Sequence, residues 1–226
     1  MRFEEHVRAL REAGYSTVSL EQVRDYVVLG RELPPHPVLL TFDDGYASNY
    51  EHAFPILQRY GSSAAFFVIG VSFGKDTYKD TGEPITPHFG LDEAQEMVRS
   101  GLISIQSHSF DLHHVEPFDD PFRHGVLRME DESEQDYIGI IRNDHALMRD
   151  LLSDTGELFA ISYPYGRFDI FSSILLSELG FQMTFSIQPG VNTLIKGLPQ
   201  SLLELKRFNI TDEITGEGLV DLITVG

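Results

Sequence analysis

The chain contains no cysteine, which removes a disulfide scaffold, a cysteine zinc site and a thiol nucleophile from consideration. It has no apolar run of about eighteen residues, so no stretch reads as a membrane-spanning helix. Positive charge is scarce: 17 Lys+Arg stand against 35 Asp+Glu, a net charge of −18. Binding nucleic acid takes Lys and Arg to displace counterions from phosphates, and the deficit argues against that class. The opening Met1-Arg2-Phe3-Glu4 does not read as an export signal. What is present is a folded composition. With 42% hydrophobic and 11% aromatic residues over 226 positions, the chain is not disordered and is long enough for one domain with a sizeable core.

Phe3, Val7 and Leu10 at helical spacing, stopped by Gly14, predict a helix over 3–14, and Ser19 as N-cap opens a second over 20–29. Pro34, Pro35 and Pro37 then break the chain. Beyond them, apolar runs of strand length at 38–42, 64–69, 102–106, 158–163 and 181–186 alternate with helical patterns at 50–60, 91–100, 133–153 and 170–179. A last short strand is expected near 205–208. Continuous apolar runs mark strands covered on both faces, and their alternation with helices means parallel βαβ units, hence an α/β fold. A barrel and an open doubly wound sheet both satisfy this pattern. The expected organisation is one domain over 1–226, with an N-terminal helical segment at 1–33, a core at 38–210 and a C-terminal extension at 211–226. Two stretches stand outside the alternation. Residues 73–90 read as a long rim loop. Residues 116–136, with eight acidic residues and two Arg, read as a solvated surface loop or, alternatively, as a mobile lip beside a site.

Three segments carry groups able to do chemistry. Asp43-Asp44-Gly45 follows the first buried strand. It is good turn chemistry, but it also puts two carboxylates at the C-terminal end of a parallel strand, where α/β folds gather catalytic groups. Neighbours leaving a strand point in different directions, so one carboxylate can hold a metal while the other faces the reacting water. His108 and His113 follow the third strand, in a stretch with three of the nine histidines within seven positions. On a helix, residues five apart diverge by about 140°, so these two can share an ion only from a bent loop. Two imidazoles and a carboxylate with open positions make a catalytic rather than a closed structural metal site. Ser162-Tyr163-Pro164-Tyr165-Gly166 closes a fourth strand. All three segments then fall on one face of a parallel sheet.

Thr41-Phe42-Asp43-Asp44-Gly45-Tyr46, the His108…His113 segment and Tyr163-Pro164-Tyr165-Gly166 resemble, in order and spacing, the first three motifs of the polysaccharide deacetylases, the NodB-homology carbohydrate esterases. The resemblance runs from about Val38 to Phe185. The five-residue His spacing is similar to that of the branch that deacetylates poly-N-acetylglucosamine. The resemblance implies a distorted (β/α) barrel with fewer than eight strands. It implies a divalent ion, zinc first, with cobalt, nickel or iron as alternatives. Asp44, His108 and His113 would be its ligands, Asp43 the general base and the Tyr165 backbone N–H an oxyanion donor. The substrate would be an acetylated glycan outside the cell or at its surface.

The match also departs from that pattern. No His follows His145, the chain has no Trp, and Phe159-Ala160-Ile161-Ser162 stands where many members carry an Arg before the Pro-Tyr-Gly motif. In the exopolysaccharide branch the general-acid His lies upstream, on a strand ending in Tyr-His, and residues 3–15 resemble the helix that follows it. The chain is therefore expected to begin just after that motif. His6, His88 and His114 are the remaining candidates for the acid, with His6 expected at the surface. Two rival functions follow. One is a glycan-binding relative that keeps the metal triad but lacks the acid. The other is a non-haem iron oxygenase, against which stands a carboxylate that precedes both His.

Overall fold

The computed structural model describes residues 2–225. The chain opens with α1 (Arg2–Glu12), β1 (Ser16–Thr17), α2 (Leu20–Leu29) and β2 (Pro37–Val38), of which β1 and β2 pair in parallel. The main sheet follows: β3 (Leu40–Phe42), β4 (Ala64–Val68), β5 (Ile103–Ser107), β6 (Ala160–Ser162) and β7 (Met183–Phe185), all parallel and hydrogen-bonded in that order. The crossovers are α3 (Phe54–Tyr60), α4 (Leu91–Arg99), α5 (Glu134–Leu151) and α6 (Ile170–Glu178), while α7 (Gly216–Val225) packs on α1.

This strand order decides between the two architectures. A doubly wound sheet reverses its order at a switch point and carries helices on both faces. Here every crossover advances to the next strand, and connections of one hand then gather the helices on one face and curl the sheet. The result is a distorted (β/α) half-barrel with five main strands. Burial along β4 follows the curl. Ala64, Phe66 and Val68 pack with Phe54, Leu57, Ala94 and Met97 of α3 and α4, whereas Ala65 and Phe67 turn to the other face, which Leu20, Val23 and Val27 of α2 plug together with Leu202 and Leu205. Ser19 caps α2 as expected, and Gln22 makes the cap reciprocal: Ser19 Oγ accepts the Gln22 N–H at 3.2 Å, and the Ser19 N–H donates to Gln22 Oε1 at 2.9 Å. Between β5 and β6 only Ser107 and Ile161 pair in register. Buried Gln106 makes up the ladder, its Oε1 accepting the N–H groups of Phe159 and Ala160 at 3.0 and 2.9 Å.

Several elements differ from expectation for identifiable reasons. The run at 38–42 splits, because 37–38 pairs with β1 and 40–42 with β4. The helix expected over 50–60 opens as a π-helical turn, Asn49–Ala53, before α3. Pro55 has no N–H to donate into a regular α-turn there. The strand near 205–208 is reduced to one bridge, Phe185 to Leu205, because the next N–H along the run, that of Arg207, donates to Gln188 beyond the end of β7. The extension at 211–226 contains α7, which was not expected. The curled sheet does not close: a cavity of about 1100 Å³ lies between β3 and the 205–210 segment, lined by Phe3, Val7, Phe42 and Phe208 and reaching Asp43 and Arg207.

His145 on α5 is a buried imidazole with its ring 4.7 Å from that of Phe181, and neither ring nitrogen has a hydrogen-bond partner among the described residues. Burial pushes it below the ordinary histidine value, ahead of the repulsion from Arg149. The folded chain therefore holds it neutral, and its contribution to stability is present above about pH 6.5 and lost as pH falls. Replacing His145 by Phe should raise the thermal midpoint at pH 5 by about 2–4 °C relative to the parent, with little change at pH 8. An equal shift at both pH values would sink this account.

Candidate metal centre

The C-terminal ends of β3, β5 and β6 bring the three sequence segments together. After Phe42 the chain turns sharply: Asp44 sits at φ 71 and Gly45 at φ 86. A Cβ on Gly45 would lie 2.9 Å from Val68 Cγ1, so the turn can press against β4 only with glycine there. This turn sends the two adjacent carboxylates in different directions.

Asp44 faces the histidines. Its Oδ1 lies 3.5 Å from His108 Nε2 and 3.8 Å from His113 Nε2, and one ligand atom from each of the three residues falls within 4.8 Å of the others. Donors bonded at about 2.1 Å to one tetrahedral ion stand roughly 3.4 Å apart, so the set fits a divalent cation in size and in its mixed N,N,O chemistry. Buried His108 approaches the Ser162 carbonyl through Nδ1 at 2.7 Å. Since a carbonyl can only accept, Nδ1 carries a proton, and Nε2 is the ring nitrogen turned toward Asp44. His113 lies with its ring 4.3 Å from that of Tyr165. Burial, followed by the neighbouring His108, pushes its pKa down to about 4. It is a neutral donor at pH 7.

Asp43 turns the other way and meets Arg207, which the sequence reading missed. The guanidinium donates to both carboxylate oxygens at 2.8 Å, to Ser162 Oγ at 2.9 Å and to the Ser186 carbonyl at 2.9 Å. Ser162 Oγ also donates to Asp43 Oδ2 at 3.0 Å. Burial works to raise the Asp43 pKa, but His108 and the Arg207 guanidinium outweigh it and hold the carboxyl below its ordinary value. Asp43 is thus anchored by an arginine from the other side of the seam, with Ser162 inside the same network. Only the weak 205–208 pattern pointed to that segment.

Tyr165 sits at φ 58 in the turn Pro164–Gly166, its hydroxyl donating to the His114 carbonyl, and its N–H has no acceptor among the described residues. Of the other histidines, His114 Nδ1 accepts the Arg123 N–H at 3.0 Å. The His88 ring lies 5.0 Å from that of Tyr46 at a tilt of 43°, and the Tyr46 hydroxyl is pushed up to about 12 by burial and then by Asp44. His6 is not at the surface: it is buried with Nε2 2.6 Å from the Ile214 carbonyl, a packing role between α1 and the C-terminal region. The acidic rim loop is pinned. Arg123 and Glu132 form an ion pair with side chains only 5% and 8% exposed, and Lys79 ties Asp119 to the 73–90 loop at 2.6 Å.

The sequence profile described as Polysaccharide deacetylase matches residues 30–184. The YxkH protein of Bacillus subtilis (strain 168) is 29% identical over 214 residues, covering 95% of this chain and 66% of YxkH. The poly-beta-1,6-N-acetyl-D-glucosamine N-deacetylase of Escherichia coli (strain K12) is 30% identical over 205 residues, covering 80% of this chain and 30% of that protein. This chain therefore spans just under two thirds of the first relative and less than a third of the second. Among solved structures, a de-N-acetylase from Aggregatibacter actinomycetemcomitans superposes with a TM-score of 0.80 at 24% identity, over 97% of this chain and 87% of the other, a likeness of fold. The BpsB deacetylase domain of Bordetella bronchiseptica superposes with a TM-score of 0.73 at 27% identity, over 89% and 81%.

Proposed function

This chain belongs to the polysaccharide deacetylase family, and from that membership we propose that it is a metal-dependent hydrolase removing N-acetyl groups from an N-acetylglucosamine-containing polysaccharide. The observation that carries the reading is the divergence of Asp43 and Asp44. One turn supplies a carboxylate to a three-residue cation site and its neighbour to an arginine-anchored position beside it. Asp44, His108 and His113 would hold the ion, zinc first by donor type. Such an ion acidifies a bound water and polarises the acetyl carbonyl. Asp43, ionised at neutral pH, takes the proton from the attacking water. The Tyr165 N–H donates to the oxygen that becomes negative as the carbonyl carbon turns tetrahedral. Collapse breaks the C–N bond, acetate leaves, and the proton that Asp43 took from water passes to the departing amine. A substrate of this kind lies at the cell surface or outside the cell.

The test joins two measurements on the purified chain: divalent metal content, and acetate release from N-acetylglucosamine oligomers in zinc-supplemented buffer. Bound metal with acetate release supports the reading. No bound metal and no acetate overturn it. A second reading, a glycan-binding relative that holds the ion without turnover, is favoured by the absence of any histidine after His145. Oligosaccharide binding without acetate release would select it.

Arg207→Lys provides a further expectation. A lysine is a point charge and cannot serve both oxygens of Asp43 while also holding Ser162 and Ser186. Metal content should be unchanged, while kcat falls about 10- to 100-fold, the scale of a misplaced catalytic group. A normal kcat would show that Asp43 needs no such anchor.

A further inference from the structure

His108 and His113 are five residues apart, and something must shape the chain between them so that both imidazoles meet Asp44. The bend begins at Ser109, at φ 70, whose N–H donates to Ser107 Oγ at 3.0 Å and whose own Oγ accepts the Leu112 N–H at 3.1 Å. The carbonyls of Ser109 and Phe110 accept the N–H groups of Gly70 and Val71 at 3.0 and 2.8 Å. The N–H groups of Phe110 and Asp111 remain, and both converge on one side chain from another element: Asp144 of α5. Its Oδ2 accepts the Phe110 N–H at 2.9 Å and its Oδ1 the Asp111 N–H at 2.7 Å.

Nothing local to α5 asks for an aspartate there. Asp is a poor helix-interior residue, and this one is only 8% exposed. Burying a carboxylate is unfavourable unless its oxygens are satisfied, and the partners Asp144 finds are two consecutive N–H groups of the loop. Resting on the reading of Asp44, His108 and His113 as a cation site, we propose that Asp144 is a positioning residue for that site. Its carboxylate fixes the bend that sets His113 against His108. His108 is already anchored by the Ser162 carbonyl, so the quantity Asp144 controls is the placement of His113.

The requirement for two acceptors gives a discriminating substitution. Asparagine matches the shape of aspartate but has one acceptor oxygen, and its NH2 group would face one of the two loop N–H groups. In Asp144→Asn, zinc affinity measured by competition with a chromophoric chelator should fall about 10- to 100-fold, the effect of losing an outer-shell partner. Amide exchange at Phe110 and Asp111 in the metal-free protein should accelerate at least about tenfold, with the β5 amides unchanged. Asp144→Glu, which keeps both oxygens on a longer stem, should lie between the parent and Asp144→Asn. Asp150→Asn, on an exposed position of the same helix, should match the parent.

Zinc affinity within about twofold of the parent in folded Asp144→Asn overturns the proposal, as does failure of both Asp144 variants to fold, which would make the residue purely structural. The underlying reading fails separately. If the parent binds zinc no better than His113→Ala, the site is not a cation site, and unchanged exchange at Phe110 and Asp111 in Asp144→Asn would then also remove the loop-shaping role.

Discussion

Asp43→Asn is expected to retain its divalent ion and to lose acetate release by about 10²–10⁴-fold, the usual cost of removing a general base. The separation of the two effects follows from the turn after β3. Asp44 alone faces His108 and His113, at 3.5 and 3.8 Å, while Asp43 faces Arg207 and Ser162. The amide keeps the shape of the carboxylate but cannot accept a proton from water at neutral pH. It also leaves the Arg207 guanidinium facing a neutral group, so a modest loss of stability should accompany the loss of rate. In the parent, the carboxyl is held below its ordinary value. Any decline of activity above pH 5 therefore comes from other groups. Metal content and initial rates measured on the same preparation check the prediction. Full activity in Asp43→Asn would remove Asp43 from the chemistry, and loss of the ion would make it a ligand.

His113→Ala should produce the complementary result: divalent binding weakened by more than about 100-fold, beyond the loss from an outer-shell change, and hydrolysis reduced to background. Two donors would remain where three converge within 4.8 Å. Burial, with His108 second, brings His113 down to about 4, so its lone pair is available at pH 7 without displacing a proton, and its removal subtracts a ready donor. The ring also packs 4.3 Å from Tyr165, so the variant should loosen the turn that presents the Tyr165 N–H. Zinc titration of the metal-free proteins decides: equal affinity in parent and variant would mean the ion sits elsewhere.

The parts of this site legible in the sequence are those that sit directly at strand ends. Asp43, Asp44, His108, His113 and Tyr165 follow apolar strand-length runs, of which the first, β3, proves only half-buried beside the open seam, and a parallel sheet puts all such ends on one face. Strand order was not legible, because consecutive βαβ units are compatible with a barrel or an open sheet until pairing is known. Arg207 was invisible for a related reason. Its partner lies 164 residues away, and its segment is held to the sheet by one bridge in place of a regular strand. Asp144 reads as one more polar residue in an 18-residue helix rich in them. Its partners are backbone N–H groups, which leave no mark in side-chain identity. The π-helical turn before α3 escaped because Pro55 sits at a normal position for a helix start, and only the preceding carbonyl reveals the wider turn.

The open seam gives the molecule two thresholds of failure. Asp44, His108 and His113 follow the ends of β3 and β5, strands joined through the fully buried β4 by three and five register pairs. Arg207 stands across the seam on a segment tied to β7 by a few hydrogen bonds. Fluctuations that open a protein start where such ties are few. Warming or a proteolytic nick after residue 204 would release the guanidinium while the cation donors stay in place. On the proposed reading such a chain would keep its cation donors but lose the anchor of its base, a metal-loaded and inactive form that spectroscopy of the ion alone would mistake for native enzyme.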